Sequence, residues 1–97
     1  MDIYHTENSI YEIDLEGKRY RRYPKPMSEQ RVDSDRLKYA KWMPLADIPN
    51  PVQLVADDSN PYRAPELRGT LLHIMHESST LGILTTPIVF MARDVAH

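Results

Sequence analysis

Between positions 18 and 25 five basic residues, Lys18, Arg19, Arg21, Arg22 and Lys25, interleave with Tyr20 and Tyr23. Arginines bind phosphate oxygens and tyrosine rings stack on bases, so this spacing has the look of a nucleic-acid surface. Glu12, Asp14 and Glu16 lie just upstream and cancel much of the field. A solvated hairpin whose charges pair internally is the simpler account and is preferred here over nucleic acid. Arg22 is the least obviously paired of the set. It falls on the core-side face near the open end, where a carboxylate such as Asp33 or Asp35 could meet it.

Other chemistry is harder to assemble. His73, His76 and Glu77 invite a metal reading, but on a strand positions i and i+3 point to opposite faces. Their spacing also departs from the His-Glu-x-x-His zinc pattern. Asp57-Asp58 lacks the alternating oxygen ligands and closing glutamate of a calcium loop, and reads as a solvated acidic loop. Ser78-Ser79-Thr80 has hydroxyls without a base in a recognisable arrangement. Gly17, Gly69 and Gly82 are isolated, so no phosphate cradle forms. With no cysteine there is neither a disulfide framework nor a thiolate site. The expectation is no catalytic residue, no metal and no cofactor.

The basic run must be positioned by a β-hairpin over Ser9–Pro24, the one stretch where alternation, turn chemistry and charge agree. Asp14 suits the first position of a type I turn, and Gly17 suits the fourth, at φ > 0 with a bulge. That register sets Ile13 opposite Lys18, Glu12 opposite Arg19, Tyr11 opposite Tyr20 and Ile10 opposite Arg21. Tyr11, Ile13, Tyr20 and the stem of Lys18 then share a core face. Ile10, Glu12, Asp14, Arg19 and Arg21 share the other, a charge ladder.

Around the hairpin, residues 1–8 read as a lead-in, with an added edge strand through Ile3 and Tyr4. Pro24-Lys25-Pro26 forces an extended exit. Leu37–Met43 alternates and stops at Pro44, which favours a strand there. A short helix capped by Asp33 or Ser34 is the second reading. Trp42, the single tryptophan, is expected to be buried or at a contact. Residues 44–69 form a proline-rich connection, with Val52-Gln53-Leu54-Val55 as a short strand within it. Residues 70–91 read as a second hairpin, apolar on both faces near Leu72, Ile74, Ile88 and Phe90, which suggests the most buried part of the sheet. Pro87 demands an edge, a bulge or a break. Residues 92–97 read as a loose tail.

The 97 residues make one domain with a modest core. A formal charge of −2 exerts no global pull toward DNA or anionic membranes. Met1–His5 has neither a basic nor an apolar leader region, and no apolar run approaches a membrane span, so neither a signal peptide nor a membrane association is expected. Eight prolines favour short strands and loops. The fold class expected is all-β with at most one short helix: a small antiparallel sheet, sandwich or half-open barrel built on two hairpins.

The string Ser9-Ile-Tyr-Glu-Ile-Asp14, followed by Lys18-Arg19, Arg21-Arg22 and Pro24, resembles small uncharacterised proteins of actinobacterial phages. Those proteins carry a Ser-x-Tyr-Glu-x-Asp strand and a Lys-Arg-x-Arg-Arg return. A tryptophan segment follows, then a C-terminal strand with Thr-Ser-Pro-Val. Trp42 and Thr85-Thr86-Pro87-Ile88-Val89 are similar to the later pieces, with Thr86 in place of serine. The resemblance implies a compact β fold and a phage accessory role in the host cytoplasm, or a minor virion role. It transfers no catalytic residue.

The expected function is therefore non-catalytic binding of a host or phage protein. The candidate contacts are Arg19, Arg21, Arg22 and Tyr23 on the hairpin and Leu54, Tyr62 and Arg63 in the proline-rich connection. Sheet edges pair readily, so a homo-oligomer is also expected. Nucleic-acid or nucleotide binding through the arginine-tyrosine strand is the alternative.

Overall fold

The computed structural model describes residues 1–25, 34–56, 69–77 and 82–93. Seven antiparallel strands form one curled, half-barrel sheet, and the fold is all-β as expected. The strands are β1 (Asp2–Thr6), β2 (Ser9–Asp14), β3 (Arg19–Pro24), β4 (Met43–Pro44), β5 (Val52–Ala56), β6 (Thr70–Ile74) and β7 (Ile83–Ala92). Their order across the sheet is β4-β3-β2-β1-β7-β6-β5.

The lead-in is the main surprise. β1 is not an added edge. It is the central strand, paired with β2 on one side and β7 on the other. Its alternation explains the placement: Tyr4 and Thr6 face the inside of the curl while Ile3 is buried on the outside. A strand apolar on both faces gains most where both sides are covered. Thr6 also ties the β1–β2 turn, its Oγ1 donating to the Ser9 carbonyl and accepting from the Ser9 N–H, both at 3.2 Å.

The β2–β3 hairpin forms, with its register shifted from the expected one. Asp14 faces Arg19, Ile13 faces Tyr20, Glu12 faces Arg21 and Tyr11 faces Arg22. The difference is two positions, so every side chain keeps its expected face; a one-residue slip would have inverted them. The turn is longer than expected and spans Leu15–Lys18, closed by Lys18 N–H to the Leu15 carbonyl at 3.2 Å. Lys18, at φ 53°, takes the left-handed position that was assigned to Gly17. Glycine at 17 serves a different purpose. A Cβ there would collide with the Asp14 carboxylate, whose Oδ1 accepts the Gly17 N–H at 2.9 Å.

Leu37–Met43 is not a strand. Ser34–Tyr39 is a 3-10 helix, and strand pairing begins only at Met43. One helical turn sinks Leu37 against Ile3 and Ile10 and leaves Tyr39 in solvent, which alternation could not do. The Ala40 N–H closes the turn on the Leu37 carbonyl at 2.9 Å. The C-terminal hairpin forms as β6 and β7, and Val52–Ala56 joins it as an outer strand. Pro87 sits opposite Leu71, beside the register shift that separates Leu71 from His73, in keeping with a bulge. Residues 57–68 and 94–97, including the acidic loop and the tail, lie outside the described residues.

The curl is held where the segment after β4 meets the segment after β6. Leu45 donates its N–H to the Lys18 carbonyl at 2.9 Å and forms an isolated bridge with His76. Ala46 N–H reaches the Met75 carbonyl at 2.8 Å. Tyr4, Tyr11, Ile13, Tyr20, Leu45, Leu72 and Ile74 fill the interior. A second, smaller cluster of Ile3, Ile10 and Leu37, with Tyr23 against it, covers the outer face of β1–β3. Leu37→Ala should therefore cost about 2–5 kcal/mol in urea unfolding. Tyr39→Ala, two residues on and 75% exposed, should change stability by no more than about 0.5 kcal/mol.

Candidate functional site

Arg19 and Arg21 of β3 face the outside of the sheet at alternate positions, directly across from two carboxylates of β2. Arg21 pairs with Glu12 at 2.7 Å and Arg19 with Asp14 at 2.9 Å. The Glu12 side chain is 1% exposed. Trp42 covers both guanidiniums, with ring-centroid distances of 4.0 Å to Arg19 and 4.3 Å to Arg21. The β3–β4 register places it there: Tyr20 faces Met43, so one further step sets Trp42 beside Arg21. A guanidinium between a carboxylate and an indole face is satisfied twice, by a charge-assisted hydrogen bond and by the ring quadrupole.

The cluster also perturbs Asp14. The Gly17 N–H, then the Arg19 guanidinium, hold its carboxyl below the usual 3.8. Lys18–Asp47 at 2.6 Å is a different case, since both side chains are mostly in solvent and the pair contributes little.

The remaining sequence-predicted residues do not converge with this cluster. Arg22 points to the inner face, as expected, opposite Tyr11, and its Nε donates to Ser9 Oγ at 3.0 Å. Asp33 lies outside the described residues. Tyr23 is half-buried against the outer cluster, and its hydroxyl accepts from Arg36 Nη1 at 3.3 Å. Leu54 stands on β5, at the far edge of the sheet from β4, with β2, β1, β7 and β6 between it and β3. Tyr62 and Arg63 lie outside the described residues. Among the described residues no cluster of three or more His, Cys, Asp or Glu could hold a metal ion, and no helix is long and apolar enough to cross a membrane.

What sequence reasoning missed is an apolar surface on β7. Phe90, expected in the most buried part of the sheet, is 58% exposed, with Val89 at 61% and Leu84 at 60%. Leu72 and Ile74 are fully buried as expected. Phe90 faces His5 across β1, its ring edge-on at 5.3 Å. Leu84 faces His73, which in turn faces Gln53. Val89 is the extra residue where the β1–β7 register shifts between His5 and Thr6. The outer face of β2 and β3 is roofed by the 3-10 helix and Trp42; these β7 side chains are not. The missed signal was chain length. A β7 apolar on both faces reads as doubly buried, but among the described residues of so short a chain the roofing segment lies over the other half of the sheet.

At the seam between the halves, burial and then the nearby Lys25 push His5 below its usual 6.5. Burial also lowers Lys25, whose Nζ donates to the Thr6 carbonyl at 2.7 Å. Burial raises Tyr20, and burial with Asp2 raises Tyr4. Compared with protein-family models, curated proteins and solved structures, the chain matches none.

Two outcomes follow. Glu12→Ala strands Arg21 beneath Trp42 and should cost about 3–5 kcal/mol in chemical unfolding. A double-mutant cycle with Arg21→Ala should return a strong coupling. The fold disfavours the charged form of His5, so on acidification the unfolded chain takes up that proton first. Its contribution is whole above about pH 6.5 and is lost as pH falls through the lower folded value. Melting temperature should drop on acidification below that point, and His5→Gln should flatten the drop.

Proposed function

We propose that this chain is a non-catalytic accessory protein that acts by binding another protein, and that the contact is made by the outer face of β7. The observation that carries the reading is the run Leu84, Val89 and Phe90, each more than half exposed on one strand. Leu84 and Phe90 lie six residues apart, about 20 Å along an extended strand. Between them Pro87 continues into the row Leu71 and Val55, the last 37% exposed. An apolar surface of this reach on a small domain is the mark of a protein contact. Phe90 is the natural anchor, since aromatic side chains dominate such interfaces.

The arginine-tyrosine strand supports the alternative, nucleic-acid binding, less well. Arg19 and Arg21 are committed to Asp14 and Glu12 under Trp42, and releasing either would leave a carboxylate poorly compensated. The phage setting, in the host cytoplasm or as a minor virion component, rests on the resemblance of the Ser9–Pro24 string and its later pieces.

Affinity capture from an actinobacterial host lysate tests the reading, with and without nuclease. A stoichiometric protein partner should survive nuclease. Leu84→Asp and Phe90→Asp should each lose it, at least tenfold in affinity, while the circular dichroism spectrum stays that of the parent. A catch lost to nuclease, or one indifferent to both substitutions, would turn the reading to nucleic acid or to another face.

A further inference from the structure

The sheet has two ends, and they are finished differently. At one end β4 is only Met43–Pro44; Pro44 has no N–H, and Leu45 is drawn into the closure on His76. At the other end β5 runs five residues, Val52–Ala56, without a charge, a proline or a bulge. Natural edges are normally blunted by one of those devices.

The register shows which backbone groups this edge offers. Met75 N–H bonds to the Pro51 carbonyl at 2.8 Å, so Pro51–Met75 is a hydrogen-bonding position of the β5–β6 ladder. Such positions alternate in an antiparallel pair. Gln53, facing His73, and Val55, facing Leu71, therefore turn their N–H and C=O groups toward β6. Val52, Leu54 and Ala56 turn theirs away from the sheet, where no described residue takes them up.

We propose that a second copy of this chain docks there, β5 against β5, antiparallel, with the two-fold axis at Leu54. Leu54 then faces Leu54 of the other copy, and Val52 faces Ala56. The three residues with outward backbone groups meet each other and no others, so each exchanges both its bonds. Gln53 faces Val55 on the outer face. Leu54 and Val55, 38% and 37% exposed in the single chain, gain cover. The strand carries no charge to repel its copy. Self-complementarity about one residue is the requirement of an isologous contact, and it favours a second copy over an unrelated strand. A contact built on one five-residue edge falls below the size of permanent interfaces, so the dimer dissociates on dilution. This contact runs along the β5 edge and meets the β7 face only at Val55, so either can hold without the other.

Sedimentation of the wild-type chain over a concentration series should show a reversible monomer–dimer equilibrium. Leu54→Pro removes the outward N–H at the proposed axis, along with the leucine side chain, and leaves the backbone bonds of Gln53 and Val55 to β6, so it should give monomer with the parent's spectrum. Because the chain has no cysteine, the register can be read directly. Gln53→Cys and Val55→Cys proteins, mixed and oxidised, should crosslink to each other, since facing pairs of this kind stand at about 4.5 Å. Neither alone should do so, because the diagonal Cα separation is roughly 7–8 Å and beyond disulfide reach. Wild-type monomer at every concentration, a dimer that survives Leu54→Pro, or equal crosslinking by either cysteine variant alone would each overturn the proposal. The cysteine pair decides the matter even if Leu54→Pro does not fold.

Discussion

A carboxylate in the middle of a β-strand, 1% exposed, is the constraint on which the rest of this fold turns. Glu12 lies between Tyr11 and Ile13, both buried in the interior, so β2 cannot rotate to release it. The charge must be met where it stands. Arg21 meets it directly across the ladder, and Arg21 needs a roof in turn, because an ion pair open to water is worth little. Trp42 supplies the roof, and the β3–β4 pairing brings it there. The same segment continues into Leu45 and Ala46, which draw the far end of β6 round to β3. Covering the Arg21–Glu12 pair and curling the sheet are therefore tasks of one stretch of chain.

The cost of that arrangement is borne by the other half of the sheet. The 3-10 helix and Trp42 cover the outer face of β2 and β3, where Ile10 is fully buried. Nothing comparable among the described residues covers β7, and Leu84, Val89 and Phe90 remain in solvent. The fold thus divides into a roofed half, whose charges are internally paired, and an open half, whose outer face is apolar. β1 joins the two, with His5 at the seam against Phe90. On the function proposed above, the roofed half sustains the structure and the open half is the part offered to a partner.

Much of this was legible in the sequence, and the failures have physical causes. Alternation in Ser9–Asp14 and Arg19–Pro24 assigned both faces correctly, since a two-position register difference leaves parity intact. The exact turn was not legible, because Lys18 can take the left-handed position and Gly17 serves a close approach instead. Ile3 and Tyr4 read as a strand but not as the central one; centrality depends on which distant strand arrives, here β7. Leu37–Met43 alternates in sequence, yet the demand for a single side chain, Leu37, over Ile10 made one helical turn the better solution. The arginines stood out as a site by composition. Their pairing with Glu12 and Asp14 required the register, and the indole over them required the long-range β3–β4 contact.

Arg19 and Arg21 are thus engaged within the fold, by Asp14, Glu12 and the Trp42 ring, rather than held out to a ligand. The most direct measurement is the Nε–H resonance of each arginine by NMR, with Arg22, exposed and bonded to Ser9 Oγ, as the internal comparison. If the account holds, Arg19 and Arg21 show Nε–H signals moved upfield by the Trp42 ring, with that of Arg21 exchanging slowly with water, and both ring shifts vanish in Trp42→Leu. Nε–H signals at solvent-exposed positions, exchanging as fast as that of Arg22 and indifferent to Trp42, would contradict it.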